Sequence, residues 1–286
     1  MKINACIASR GHPQWVKEIV TQTLAMAKLP DTKIVIALDD DDLTAVGLAN
    51  EVASDKVIVS IATREDSLGA KYNRAASAYD ADLYVLLADD GVIATPDWDV
   101  KIIEPASLFT DGIFCVNFGY PMYASGIPAV FAASKKLVEM MGFFLNPYHP
   151  FWWHDTYLNE IAQFIGRRVE VNVQMSYPFN FEKTRGMRDV LHWATFFDMM
   201  RKRRMETAQR IIDSPDNLDS PDRKTWLKQT MPLLAEKMLQ NNAPNRELAH
   251  IRCLEDGQGY DAPSDERYQR IYQASQKLMA EIARCG

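Results

Sequence analysis

The stretch "DLYVLLADDGVIATPDWDVKI", Asp82 to Ile102, decides how this chain is read. Its apolar run, Leu83 to Leu87, reads as a strand and stops at two adjacent carboxylates, Asp89 and Asp90, with Gly91 directly after them. A strand this short and this continuously apolar suits a parallel sheet covered on both faces. Two like charges at the end of a buried strand repel each other, so the placement asks for a reason.

The sequence on the N-terminal side repeats the theme. "INACIAS" (Ile3 to Ser9), "KIVIAL" (Lys33 to Leu38) and "KVIVSI" (Lys56 to Ile61) are short apolar runs. Between them lie helical patterns, "PQWVKEIVTQTLAMAK", "DLTAVGLANEVA" and "LGAKYNRAASAYDA". Pro13 suits a first helical turn, and Asp41 or Asp42 suits a cap. Alternation of this kind predicts an α/β fold with a Rossmann-like, open, mostly parallel sheet flanked by helices. Beyond Asp90 the pattern predicts a helix in "DWDVKIIEPASLF", strands in "GIFCVNFG", "PAVFAAS" and "RVEVNVQMSY", and helices in "KKLVEMMGFF" and "HDTYLNEIAQFIG". From about Thr195 only helical patterns remain, among them "FFDMMRKRRMETAQRII". The expected organisation is an α/β domain over 1–194 and a helical C-terminal extension over 195–286.

Composition narrows the function classes. The chain has 286 residues, 47% hydrophobic and 24% charged, with a formal charge of −6. This is ordinary for a globular protein, and the overall charge does not advertise nucleic-acid binding. The four cysteines, Cys6, Cys115, Cys253 and Cys285, are far apart, which argues against a zinc module or disulfide scaffold and fits a reducing cytoplasm. The N-terminal apolar run is too short for a signal peptide, and no apolar stretch approaches the ~20 residues of a membrane span. A cytoplasmic location is the expectation.

In an open parallel sheet, ligands bind where the strands end. Strand one ends in "ASRG" (Ala8 to Gly11), strand two in Asp39 to Asp42, and strand four in Asp89 and Asp90. Hard oxygen donors of this kind suit Mg²⁺ or Mn²⁺ bridging to substrate phosphates. The competing reading is a set of solvated turns, because Asp and Gly tolerate tight backbone geometry.

"NACIASRGHPQWV", "IVIALDDDD" and "SLGAKYNRAASAYDADLYVLLADDGVIATPDWDVKI" together resemble the family 2 glycosyltransferases of the GT-A fold. The residues carrying the resemblance are Gly69, Lys71 or Arg74, Asn73, Ala81, Asp82, Asp89, Asp90, Pro96 and Trp98. "PAVFAASKKLVEMMGFFLNPYHPFWWHDTYLNEIAQFIGRRV" looks like the acceptor half of that family, with His154-Asp155 where Glu-Asp is usual. The likeness spans about Lys2 to Val173, and the C-terminal helices lie outside it.

The resemblance implies a metal-dependent, inverting glycosyltransferase that takes a nucleotide-diphosphate sugar, UDP-linked by preference, with Mn²⁺ or Mg²⁺ as cofactor. In that reading Asp90 of the DXD-like pair holds the metal and Asp89 contacts ribose or metal. Asp39 or Asp40 bonds the base, Ala8, Ser9 and Arg10 line the nucleotide pocket, and Lys71 neutralises phosphate charge. Asp155 is the general base, Trp153 stacks on substrate, and His192 is a late metal ligand; Asp155 also has a plain reading as a helix cap. Lys183, Arg185, Arg188 and the run Arg201 to Arg204 form a local basic concentration. Arg185 and Arg188 would close over diphosphate, while Arg201 to Arg204 suggest an anionic acceptor such as DNA or a membrane surface. Two alternatives stand beside the main reading: a glycosyltransferase acting on a hydroxylated DNA base, and a non-catalytic nucleotide-sugar-binding module.

Overall fold

Four parallel strands build the first part of the sheet: β1 (Ile3–Ala8), β2 (Thr32–Asp39), β3 (Val57–Ala62) and β4 (Leu83–Leu87), in the spatial order β3-β2-β1-β4. The computed structural model describes residues 1–120, 130–150, 153–178, 190–255 and 266–285. Every residue of β1 and β4 is buried, which is why both runs are apolar without alternation. Helices α1 (Pro13–Ala25), α2 (Ala45–Val52) and α3 (Leu68–Ser77) connect them. Pro13 sits in the first turn of α1, where a missing N–H costs little. Ser67 caps α3, its hydroxyl accepting from the Ala70 N–H at 3.0 Å.

Past β4 the sheet becomes mixed. Next to β4 lies the antiparallel β7 (Phe131–Ser134), then β6 (Cys115–Tyr120), then β8 (Arg168–Ser176) parallel to β6, and at the edge β5 (Val92–Ile93). The two-residue β5 has no counterpart in the sequence reading, because two residues carry no period. Helix α4 (Trp98–Ile103) is shorter than expected and gives way to a 3₁₀ turn over Glu104–Leu108 that contains Pro105. Two more helices follow, α5 (Lys135–Met141) and α6 (His154–Phe164).

The C-terminal helices are α7 (Val190–Met199), α8 (Arg201–Asp213), α9 (Pro221–Glu255) and α10 (Glu266–Cys285). The single helix expected over "FFDMMRKRRMETAQRII" is broken at Met200 into α7 and α8. The boundary expected after residue 194 lies within α7, and Trp193 and Phe196 on its two sides join one buried cluster with Ala37, Leu86, Phe131, Leu158, Ile211 and Ile271. Three largely buried ion pairs lie where these helices meet the sheet domain. Arg204 Nε on α8 meets Glu160 on α6 at 2.6 Å, and Arg167 meets Asp111 at 2.7 Å and Asp219 at 3.0 Å. No helix among the described residues is long and apolar enough to cross a membrane.

Candidate active site

Because β1 lies between β2 and β4 and all three are parallel, their carboxyl ends meet on one edge. Lys71, in the first turns of α3, is only 6% exposed and reaches across that edge. Its Nζ lies 2.8 Å from Asp39 Oδ1 and donates to the Ser9 carbonyl at 2.7 Å. Burial pulls its pKa down, and Asp39 opposes that shift. Asp39, 1% exposed, also accepts from Arg10 at 3.1 Å and has Arg64 Nε at 3.8 Å. Three cations thus surround one buried carboxylate at the end of β2.

The rest of the acidic run divides its work. Asp41 takes the fork of Arg10. Asp42 does not cap α2, whose first residue is Ala45. It accepts from the Gly11 N–H at 2.8 Å and from the Thr44 N–H and hydroxyl, so it ties the loop after β1 to the loop after β2. Asp40 is exposed and accepts from the Thr63 hydroxyl at 3.1 Å. Arg64 was not foreseen, although it follows β3 and the strand-end rule that found Asp39 extends to it. Of Lys71 and Arg74, Lys71 is the one that reaches Asp39; Arg74 is held by Glu65, the Ser60 hydroxyl at 2.9 Å and the Leu38 carbonyl at 2.9 Å.

Asp89 and Asp90 follow β4 on the same edge. Burial raises the pKa of Asp89 against the opposing Ser9 hydroxyl, His12 and Lys71. Burial and the neighbouring Asp89 push Asp90 up to about 6. Among the described residues, Asp90 Oδ1 is buried without a hydrogen-bond partner. An unpartnered carboxylate oxygen beside a second carboxylate is a donor set that a hard divalent cation satisfies. No group of three or more His, Cys, Asp or Glu able to hold a metal occurs among the described residues. The fit is therefore to an ion that takes its remaining ligands from phosphate oxygens and water, as Mg²⁺ and Mn²⁺ do.

Helix α3 also joins this edge to α6. Asn73 on α3 accepts from the Phe144 and Leu145 N–H groups at 2.9 and 2.8 Å and donates to the Leu145 carbonyl at 2.8 Å. Gly69 lets the chain approach so closely that a Cβ there would lie 2.1 Å from the Asn146 carbonyl oxygen. That carbonyl accepts from His154 Nδ1 at 2.9 Å, which places the proton on Nδ1. Burial lowers His154 to about 4 and His149 well below its usual value, so both rings are neutral at neutral pH.

Trp153 starts α6 with a φ of 62°, a left-handed conformation rare for a bulky residue. Its ring stacks on Phe197 of α7. Asp155 sits in the first turn of α6, where the N-cap position belongs to Trp153. Its carboxylate is half-buried and accepts from the Thr156 N–H at 2.7 Å. Burial raises its pKa, and the bonds to Thr156 oppose that rise.

The remaining expected site residues make other contacts. His192 Nε2 is 2.8 Å from the Ser275 hydroxyl, and its ring lies against Trp193 and Tyr272. Of the basic run read as an anionic-acceptor surface, Arg204 is turned into the core while Lys202 is exposed. Arg204 is fully buried, paired with Glu160 and stacked 3.8 Å from the Phe197 ring centre. Arg201 meets Asp198 at 2.9 Å, and Arg203 lies 3.9 Å from Glu281. Arg185, Arg188, Phe151 and Trp152 lie outside the described residues.

No protein-family model matches the chain, and no curated protein matches its sequence. The fold does have solved counterparts. S. aureus TarS 1-349, in complex with UDP-GlcNAc, aligns with a TM-score of 0.60 at 10% identity, over 99% of this chain and 81% of that one. A mannosyltransferase from Pyrobaculum calidifontis, in complex with GDP-Man and Mn²⁺, aligns with a TM-score of 0.52 at 13% identity, over 99% and 86%. The fold is that of the GT-A glycosyltransferases, as the resemblance of the sequence implied. At 10–13% identity the likeness speaks for architecture alone.

Proposed function

We propose that this chain is a metal-dependent glycosyltransferase that moves a sugar from a nucleotide-diphosphate donor, UDP-linked by preference, to a hydroxyl acceptor with inversion. The observation that carries the reading is the unpartnered, buried Asp90 oxygen beside Asp89, on the edge that the paired Lys71 and Arg10 also line. Two structures of similar fold hold UDP-GlcNAc in one case and GDP-Man with Mn²⁺ in the other, which supports the donor class and the ion.

In this mechanism Asp89 and Asp90 hold a divalent ion, Mn²⁺ or Mg²⁺, which supplies the charge that stabilises the departing diphosphate. Lys71 and Arg10 add fixed positive charge, and Ala8 and Ser9 form the floor of the nucleotide pocket. Asp39 holds Lys71 and Arg10 in place, while the exposed Asp40, one oxygen of which accepts from the Thr63 hydroxyl, meets the base. Asp155 accepts the proton of the acceptor hydroxyl as its oxygen bonds to the anomeric carbon, and the old C–O bond leaves its electron pair on the nucleotide diphosphate. A half-buried carboxylate with a raised pKa is a stronger base than an exposed one. His154, neutral and tied to the Asn146 carbonyl, fixes the start of α6 and takes no proton. Its Nε2 has no hydrogen-bond partner among the described residues.

The direct test is donor hydrolysis and transfer with UDP- and GDP-sugars in Mn²⁺. Wild type turns over at least one donor, and Asp155→Asn loses about 10²-fold or more in rate while still binding nucleotide. Equal rates in the two proteins contradict the base assignment. No turnover across the panel, with nucleotide binding intact, replaces the enzyme with a binding module.

A further inference from the structure

The last helix lies outside the stretch that resembles glycosyltransferases, yet it touches both loops that frame the proposed donor site. Arg270 of α10 donates to Asp66 through Nε at 3.1 Å, one residue before the cap of α3 that carries Lys71. Arg267, one helical turn earlier, lies 3.9 Å from Asp41. Asp41 also receives the fork of Arg10, and Arg10 reaches Asp39. Charges therefore alternate from α10 to the strand edge: Arg267, Asp41, Arg10, Asp39, Lys71. The opposite face of α10 is fixed to α7, with the Tyr268 hydroxyl 2.9 Å from Trp193 Nε1, Ser275 at His192, and Tyr272 against both rings. Between α10 and the loop after β3 is an open cavity of about 670 Å³, lined by Arg64, Asp66, Ser67, Pro147, Arg270 and Ile271.

We propose that α10 is the outer wall of the donor cleft, and that Arg267 and Arg270 are positioning residues that set the loops after β2 and β3 for nucleotide binding. The inference rests on the donor reading above for its ligand. The aromatic contacts fix where α10 lies, and the two ion pairs transmit that position to Arg10 and to the start of α3. The Arg270–Asp66 pair is exposed, so each pair is weak alone and screened by salt. The effect on the donor site is correspondingly graded, and it shrinks as ionic strength rises.

The test uses the full chain with Arg267→Asp, Arg270→Asp, Asp66→Arg and the swap Asp66→Arg/Arg270→Asp. Two quantities are read: amide hydrogen exchange over residues 39–42 and 63–67 without ligand, and affinity for UDP and GDP with Mn²⁺ at low and high salt. Arg270→Asp is expected to speed exchange over 63–67 and weaken nucleotide binding roughly fivefold at low salt. The swap restores both, and high salt narrows the gap. A structural role alone would change thermal stability and leave nucleotide affinity unmoved. Unchanged exchange in both arginine variants overturns the proposal whatever binds. Rescued exchange with unchanged affinity also overturns it, since α10 then sets loops that donors ignore. A wild type that binds no nucleotide, yet shows the exchange rescue, contradicts the donor reading and keeps the coupling of α10 to those loops.

Discussion

Charged residues serve opposite ends in two parts of this molecule. At the edge formed by β1, β2 and β4, charges are clustered and incompletely matched: three cations share Asp39, and Asp90 keeps a buried oxygen without a partner. At the junction of α6 and α8, Arg204 and Glu160 are equally buried and paired at 2.6 Å with Phe197 stacked on the guanidinium, although one oxygen of Glu160 and one nitrogen of Arg204 also lack a hydrogen-bond partner among the described residues. The first arrangement leaves bonding capacity for a ligand. The second closes a contact between the sheet domain and its C-terminal helices. Neither burial of a charge nor an unfilled valence alone therefore marks a site; two adjacent carboxylates at a strand-end edge are what set the first arrangement apart.

The largest effect should come from breaking the closed pair. Glu160→Ala leaves Arg204 buried without its partner and is expected to cost about 3–5 kcal/mol, read by chemical denaturation. Gly69→Ala comes next. Its new Cβ meets the Asn146 backbone oxygen, which cannot swing away as a side chain would, so a loss of about 1–3 kcal/mol is expected together with weaker nucleotide binding. Stability unchanged in either variant would contradict the packing described.

The acid range sharpens the comparison further. Asp90 has a folded pKa of about 6, above its unfolded value, so the folded state holds the extra proton between roughly pH 4 and 6. Without metal, Asp90 therefore destabilises the fold above pH 6, and that cost fades as pH falls through 6 towards 4. Asp90→Asn should raise the melting temperature at pH 7.5 in chelator and leave it little changed near pH 4. His154 runs the other way. Its folded pKa of about 4 lies below the unfolded value, so its contribution is present above about pH 6.5 and is lost as pH falls towards 4. Metal binding should weaken below pH 6, where Asp90 takes up its proton. The smallest effect is expected for Arg203→Ala, within about 1 kcal/mol, because its ion pair with Glu281 spans 3.9 Å and both side chains are partly exposed.

The strand-end half of the site was legible because parallel strands leave a strong local mark. An apolar run followed by Asp-Asp identifies β4 and its edge, and "IVIALDDDD" does the same for β2. What the sequence could not give was pairing. Four consecutive aspartates look alike, yet Asp39 holds cations, Asp41 takes Arg10 and Asp42 ties two loops. "RKRR" reads as an exposed basic face, but helical geometry turns Arg204 into the core while its neighbours stay near the surface. Asn146 and the role of α10 have no local signal, since both act through contacts between segments far apart in the chain.

The central claim is that the edge shared by Asp39, Lys71, Asp89 and Asp90 holds a nucleotide diphosphate through a divalent ion. Calorimetric titration of UDP and GDP into wild type and Asp90→Asn, each with Mn²⁺ and with chelator, tests it most directly. The account predicts that wild type binds a nucleotide only with the ion, and that Asp90→Asn, folded and at least as stable without metal, loses that binding. Equal, metal-independent affinity in both proteins would contradict it.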